Sequence, residues 1–427
     1  MGNQFNWTRP PNLPTICDVC WPMPPPGHPG EIGVNKHALH WIKGLAKYAI
    51  GIGLLVWVLS QNWEPQGENP GISGLLRQAP DLTAYAILAV VAVTCTSIQF
   101  YRWYLLVRAL DLSFSVASAY RLGLVGAFYN AFLPGSVGGD LVKAYYIAHG
   151  QPGQRASAVA TVLADRLVGL FGLIWFSAAF GGAFWLAGDP LITGNDWLKG
   201  IIRVCGGLAT AVVLGWAILG LLPPHRADRF AGRLAHIPKI GHTLAEAWYA
   251  VWTYRQRPKV VYATVVMTAV VHVGFVVMFH LAVRVYPNVS PATLAEHFVI
   301  APIGYIAQAF FPAPGGVGGG EAIFGYLYTL LDRPKETGIV GRLTLRTAEW
   351  GIGLVGLVVY LLMRNELPAV EEEAEKEGFG GHDDPPPLGP PMEDGHNGAG
   401  HVGKMVTANG VTLTSPEHLA PKGDAVV

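Results

Sequence analysis

Asn130-Ala131-Phe132-Leu133-Pro134-Gly135-Ser136-Val137-Gly138-Gly139-Asp140 has a counterpart further along the same chain, Gln308-Ala309-Phe310-Phe311-Pro312-Ala313-Pro314-Gly315-Gly316-Val317-Gly318-Gly319-Gly320-Glu321. Each stretch joins an amide side chain, a short apolar run, a proline, a glycine cluster and a carboxylate in that order. Proline removes a backbone donor and glycine tolerates positive φ, so each stretch ends one half-helix, turns tightly and starts another. The turns fall at Pro134, Gly135, Gly138 and Gly139, and at Pro312, Pro314, Gly315, Gly316 and Gly318. The surrounding segments, Ser113 to Gly150 and Val289 to Thr337, are apolar apart from these breaks and read as two related helical hairpins.

The rest of the chain explains where such hairpins belong. Its 427 residues are 51% apolar and only 14% charged, too apolar for an ordinary soluble protein of this size. The charges also avoid windows of roughly 20 residues, the length a helix needs to cross a bilayer. Leu82 to Tyr101, Leu167 to Ala187 and Val204 to Leu222 carry no charge. Gly44 to Ser60 has only Lys47 near one end, and Val260 to Val283 has only His272 and His280. Ile339 to Met363 is apolar except for Arg342, Arg346 and Glu349. The expected fold is therefore an all-α polytopic membrane protein with about six spanning helices plus two inverted re-entrant helical hairpins. Irregular backbone at membrane depth is tolerated only against protein or a water-filled cavity, which puts both hairpin tips inside.

Loop charge sets the expected orientation. Pro223 to Lys259 carries Arg226, Arg229, Arg233, Lys239, Arg255, Arg257 and Lys259 and is placed on the cytoplasmic side, whereas Gln61 to Asp81 and Gly188 to Gly200 hold one basic residue each. With six spans both termini are cytoplasmic, in an inner (plasma) membrane; the first hairpin enters from the cytoplasm and the second from outside. Residues 1–40 lack an apolar signal core and form an N-terminal cytoplasmic segment, residues 41–363 the membrane domain, and residues 364–427 an acidic tail. That tail has four Lys/Arg against twelve Asp/Glu, including Glu371-Glu372-Glu373, and reads as disordered, with a protein partner as one use.

Ionisable residues in the membrane are costly and mark pathways or partners. Here they are Arg121 in the first hairpin, Asp140 and Lys143 past its turn, Asp165-Arg166 opening the third span, Glu321 past the second turn, and Arg342, Arg346 and Glu349 on one face of the last helix. With Asn130 and Gln308 these make the candidate substrate site. One reading is a polar cavity whose arginines hold an anionic headgroup, since guanidinium binds phosphate bidentately. The other is internal pairing, Glu349 with Arg346 and Asp165 or Asp140 with a nearby cation.

Phe132-Leu133-Pro134-Gly135-Ser136-Val137-Gly138-Gly139-Asp140 followed by Lys143-Ala144-Tyr145 resembles the signature of the lysylphosphatidylglycerol synthase transmembrane, or flippase-like, family. Pro312, Pro314-Gly315-Gly316, Gly318 and Glu321 resemble its second element, and Asp165-Arg166 with Gly169 resembles its Asp-Arg element. Lys143 stands where the pattern has arginine, which keeps the charge and loses the planar fork. The resemblance runs from about residue 40 to residue 363. It implies a domain that moves aminoacylated phospholipid between leaflets while a separate soluble domain makes that lipid. The 64 residues after Met363 are too few and too polar for that second domain, so a stand-alone transporter and not an enzyme is expected. The rivals are a membrane enzyme using Asp140, Asp165 or Glu321 on a lipid-linked substrate, and a scaffold with a partner-binding tail.

Other signals point to no cofactor. Cys17 and Cys20 with His28, His37 and His40 have poor zinc spacing, and no metal site is assigned. Gly315 to Gly320 lacks the Lys-Ser/Thr of a phosphate loop. Cys95 and Cys205 read as packing residues, His272 and His280 as core histidines bonded to backbone carbonyls, and no nucleic-acid partner is expected.

Overall fold

The computed structural model describes residues 34–364, apart from residue 68, residues 133–137, residue 152, residues 238–240, residues 288–290 and residue 312. Cys17, Cys20, His28, Pro134, Gly135, Pro312 and the acidic tail lie outside the described residues, as does the backbone of the first turn's centre. Among the described residues the fold is all-helical, with one isolated β-bridge between Gln66 and Asn69.

Five helices are long and apolar enough to cross a membrane: α3 (Leu82–Arg108), α6 (Arg155–Leu186), α8 (Asp196–Leu221), α11 (Pro258–Ala282) and α14 (Lys335–Arg364). They match five of the six expected windows. The sixth, Gly44 to Ser60, falls on α1 (Val34–Gln61), whose apolar part is the shorter stretch Tyr48–Gln61. Large apolar side chains stand exposed on these helices, Val204, Val212 and Ile218 on α8 being 62%, 51% and 66% accessible. In water such a surface aggregates; against acyl chains it is satisfied. The chain is a multi-pass membrane protein.

Both interrupted segments form helix–break–helix units. The first is α4 (Val116–Phe132) and α5 (Gly138–His149); the second is α12 (Leu294–Ala309), a 3₁₀ turn at Pro314–Gly316 and α13 (Gly319–Thr329). Each has its own apolar core. Trp103, Phe114, Leu122, Tyr129, Ile147 and Tyr360 pack around the first, and Leu88, Phe279, Ile300, Phe324, Tyr328 and Leu345 around the second. The last helix α14 packs along both α4 and α13, so it bridges the two units. Thr293 and Glu296 make a capping box at the start of α12, and Arg333 beyond α13 reaches Glu296 at 3.1 Å, which pins the open end of the second unit.

Glycine is required where the tips meet their neighbours. Gly318 has φ +79°, and a Cβ there would lie 2.8 Å from the Leu55 nitrogen and against the Gly51 carbonyl of α1. Gly139 lies so close to the Gly126 carbonyl of α4 that no side chain fits between them. Gly318→Val is expected to destabilise the protein by more than about 2 kcal/mol, from strain and overpacking together, and to cut its yield in membranes. Gly53→Ala, where a Cβ has open space, is expected to leave yield unchanged in the same fractionation experiment.

Candidate functional site

The acidic residues that close the two sequence repeats occupy equivalent places. Asp140 is the third residue of α5 and Glu321 the third of α13, where a carboxylate complements the positive end of the helix. Glu321 Oε2 accepts from the Gly318 backbone N–H at 2.7 Å. Each carboxylate then meets an arginine about three turns into the long helix that follows: Arg166 Nε donates to Asp140, and Arg346 Nε donates to Glu321 Oε1 at 2.7 Å. The amide residues are also equivalent. Asn130 Oδ1 accepts from the Gly139 N–H at 2.9 Å, and Gln308 Nε2 donates to the Gly315 carbonyl at 3.3 Å, each tying a tip back to its own first half-helix.

The two units differ in closure. The Arg346 and Glu321 side chains are 2% and 0% exposed, and Arg346 also donates to the Gly315 carbonyl at 2.9 Å and the Gly316 carbonyl at 3.3 Å. In the first unit the Arg166 side chain is 49% exposed. Lys143 shares Asp140 from 3.8 Å and sits over the Trp103 ring, 5.3 Å from its centroid.

Between the units lies a cavity of about 580 Å³, within the span of roughly 300–1,000 Å³ common for small-molecule sites. Asn130, Asp140, Lys143, Asp165, Arg166, Gln308, Gly315, Gly316, Arg342, Arg346 and Glu349 all line it. Two expected members do not. Arg121 is exposed on α4 away from the lining, and Glu321 is sealed behind Arg346. Glu349 pairs with Arg342 through both terminal guanidinium nitrogens, at 3.0 and 3.2 Å, and not with Arg346 as the one-turn spacing had implied. Arg346 is drawn instead to Glu321 on α13, and Arg342 Nε adds a 2.8 Å bond to Gln308 Oε1.

Arg102 was not foreseen. It lies on α3, 4% exposed, and joins three helices by bonding Asp165 Oδ1 of α6 at 2.8 Å and Thr268 Oγ1 of α11 at 2.8 Å. The charge-free window Leu82 to Tyr101 stops one residue short of it, so from sequence it stood at the end of a span instead of inside one. Its cue was the polar run Thr96, Gln99 and Arg102 on one helix face, all three of which line the cavity. His272 also lines it, and its Nδ1 bonds the Thr268 carbonyl at 2.7 Å, as a core histidine does. Cys95 and Cys205 are buried in packing positions. Among the described residues no group of three or more His, Cys, Asp or Glu is placed to hold a metal.

Five cations line the cavity, Arg102, Lys143, Arg166, Arg342 and Arg346, against the carboxylates Asp140, Asp165 and Glu349, with Glu321 a fourth behind Arg346. The lining therefore keeps one positive charge in excess. A polar, cation-rich cavity set among long apolar helices and two helix–break–helix units is the architecture of a polytopic membrane protein. Residues 44–356 match the lysylphosphatidylglycerol synthase TM region, and the chain belongs to that family. No curated protein and no solved structure matches the chain. Family membership associates it with membrane lipids.

Proposed function

We propose that the protein is a lipid transporter of the flippase-like kind, moving a lipid with an anionic or modified headgroup between the leaflets of the plasma membrane. The observation that carries this reading is the cation-rich cavity where both hairpin units and the last helix meet. Its volume suits a headgroup, while the acyl chains stay in the bilayer. Paired, interrupted segments in corresponding halves of a chain are the sequence mark of a transporter's central site. The basic stretch Pro223 to Lys259 favours a cytoplasmic side that carries both termini, with six spans and re-entrant hairpins of opposite sense. Alternating access then needs the two acid–arginine pairs to exchange states, one open and one sealed. That is how Asp140–Arg166 and Glu321–Arg346 differ.

We assign no catalytic residue. The carboxylates an enzyme would use, Asp140, Asp165 and Glu321, are each engaged in an ion pair with an arginine, the arrangement of mutually neutralised buried charges.

The reading is tested in liposomes carrying fluorescent anionic, aminoacylated or glycosylated lipids, by following their transfer between leaflets. Arg342→Lys keeps the charge and loses the two-pronged contact to Glu349, so transfer of an anionic lipid is expected to fall about tenfold, corresponding to ~1.4 kcal/mol. Transfer unchanged by this substitution would remove Arg342 from the headgroup site. Deletion of residues 365–427 is expected to leave transfer intact, making the acidic tail and any partner it recruits accessory.

A further inference from the structure

Away from the cavity, at the opposite end of the second hairpin unit, two histidines face each other. His280 Nδ1 on α11 lies 2.9 Å from His297 Nδ1 on α12, and His297 Nε2 lies 2.7 Å from the Tyr328 hydroxyl on α13. His297 and Tyr328 are 0% exposed, whereas His280 is half-buried. The three groups thus form a hydrogen-bonded row from a partly open position into the packed core of the hairpin. It joins α11 to both limbs of the unit.

The geometry restricts the protons this row can hold. Two facing Nδ1 atoms bond only if one carries hydrogen and the other offers its lone pair. In the neutral pair either ring can donate, and the Tyr328 hydroxyl adapts, since it both donates and accepts. One added proton turns the bond into imidazolium donating to imidazole and strengthens it. A second puts hydrogen on both facing nitrogens and breaks the contact. The charged surroundings act the same way. Arg284, just past the end of α11, and Arg333 lie within electrostatic reach of the pair, Arg333 being paired to Glu296 on the first turn of α12; both oppose positive charge on the pair, so a first proton is held against them by the strengthened bond and a second has no such bond to hold it. From α6 the neighbours are apolar, with Phe180 tilted against Phe298, their ring centroids 4.6 Å apart. A metal is disfavoured by the same two arginines and by the occupied Nε2 of His297, and among the described residues no third ligand completes a shell.

We infer that His280 and His297 form a binding site for a single proton, reached through His280, whose occupancy is coupled to the position of the second hairpin. As the coupling site of a transporter, the inference rests on the function proposed above. Under the orientation drawn from loop charge, His280 and the open end of the hairpin face the outside, so the proton enters from there. The same α13 face carries Glu321 two turns from Tyr328, which gives the row a mechanical route to the cavity seal.

Two measurements on the full-length protein separate the site from its use. Nitrogen-15 histidine spectra in nanodiscs, taken between about pH 5 and 8 where imidazole changes charge, should show one proton shared by the facing nitrogens, and His280→Gln should abolish that signal. Two independently titrating histidines, or a pair that takes up no proton in this range, would overturn the inference. In liposomes, reversing the pH gradient should change the rate of anionic-lipid transfer by at least about fivefold, the low end of ordinary coupling factors. His280→Gln should erase that response while transfer without a gradient continues. A gradient response that survives in both His280→Gln and His297→Asn would overturn the coupling. A shared proton in a protein that transfers no lipid would support the site and refute the transporter reading instead.

Discussion

Arg346→Gln is expected to lower the stability of the folded protein by about 3–5 kcal/mol and to abolish lipid transfer. Glu321 is 0% exposed, and its carboxylate is satisfied by Arg346 Nε and the Gly318 N–H alone among the described contacts. Without the guanidinium a buried negative charge keeps a single donor, the Gly316 carbonyl loses the bond from Arg346, and the Gly315 carbonyl keeps only Gln308 Nε2. Adding Glu321→Gln should recover most of the loss, because a glutamine oxygen still accepts from Gly318 and no charge remains unpaired. Thermal unfolding of wild type, both single variants and the double variant in detergent closes the cycle. A strong favourable coupling is expected, and additive losses would show that the pair is not the seal of the second hairpin. Transfer should stay low in the double variant, since the cavity loses a lining cation even when stability returns.

Arg102 carries the second large effect. Arg102→Leu leaves Asp165 short of its guanidinium partner at 14% exposure and removes the bonds by which Arg102 ties α3 to α6 and α11, with an expected loss of about 3 kcal/mol and of transfer. Arg102→Lys keeps the charge, but one ammonium cannot span Asp165 and Thr268 as the fork does. An intermediate transfer rate with most of the stability is expected. Melting midpoints and transfer rates of both variants check this, and a lysine variant as inactive as the leucine one would mean that geometry rather than charge governs the site.

Much of the architecture was readable from charge avoidance. Charged side chains are excluded from hydrocarbon at high cost, so the charge-free windows mark α3, α6, α8 and α11 directly, while α14 is marked by an apolar stretch that carries three charges. Glycine and proline mark the broken hairpins because few other residues fit their backbone, as Gly318 against Gly51 illustrates. The pairing of charges was not readable. Glu349 is one turn from Arg346 and two from Arg342, so sequence spacing favours the wrong partner. What decides is Glu321, brought to Arg346 by the fold. Comparison of the repeats stopped at their tips, although the equivalence extends to Arg166 and Arg346 in the following helices. Arg102 and His297 escaped for a similar reason, their roles depending on neighbours distant in sequence.

On the proposed function, the cavity between the two hairpin units holds a lipid headgroup on its way between leaflets. Transfer of a fluorescent anionic lipid in liposomes, with and without the protein and with Asp140→Asn, tests it most directly. Acceleration by the wild-type protein is expected, greater for anionic or modified headgroups than for zwitterionic ones, with a sharp drop when Asp140 no longer holds Arg166 and Lys143. A wild-type rate equal to that of protein-free liposomes for anionic, aminoacylated and glycosylated lipids alike would contradict it.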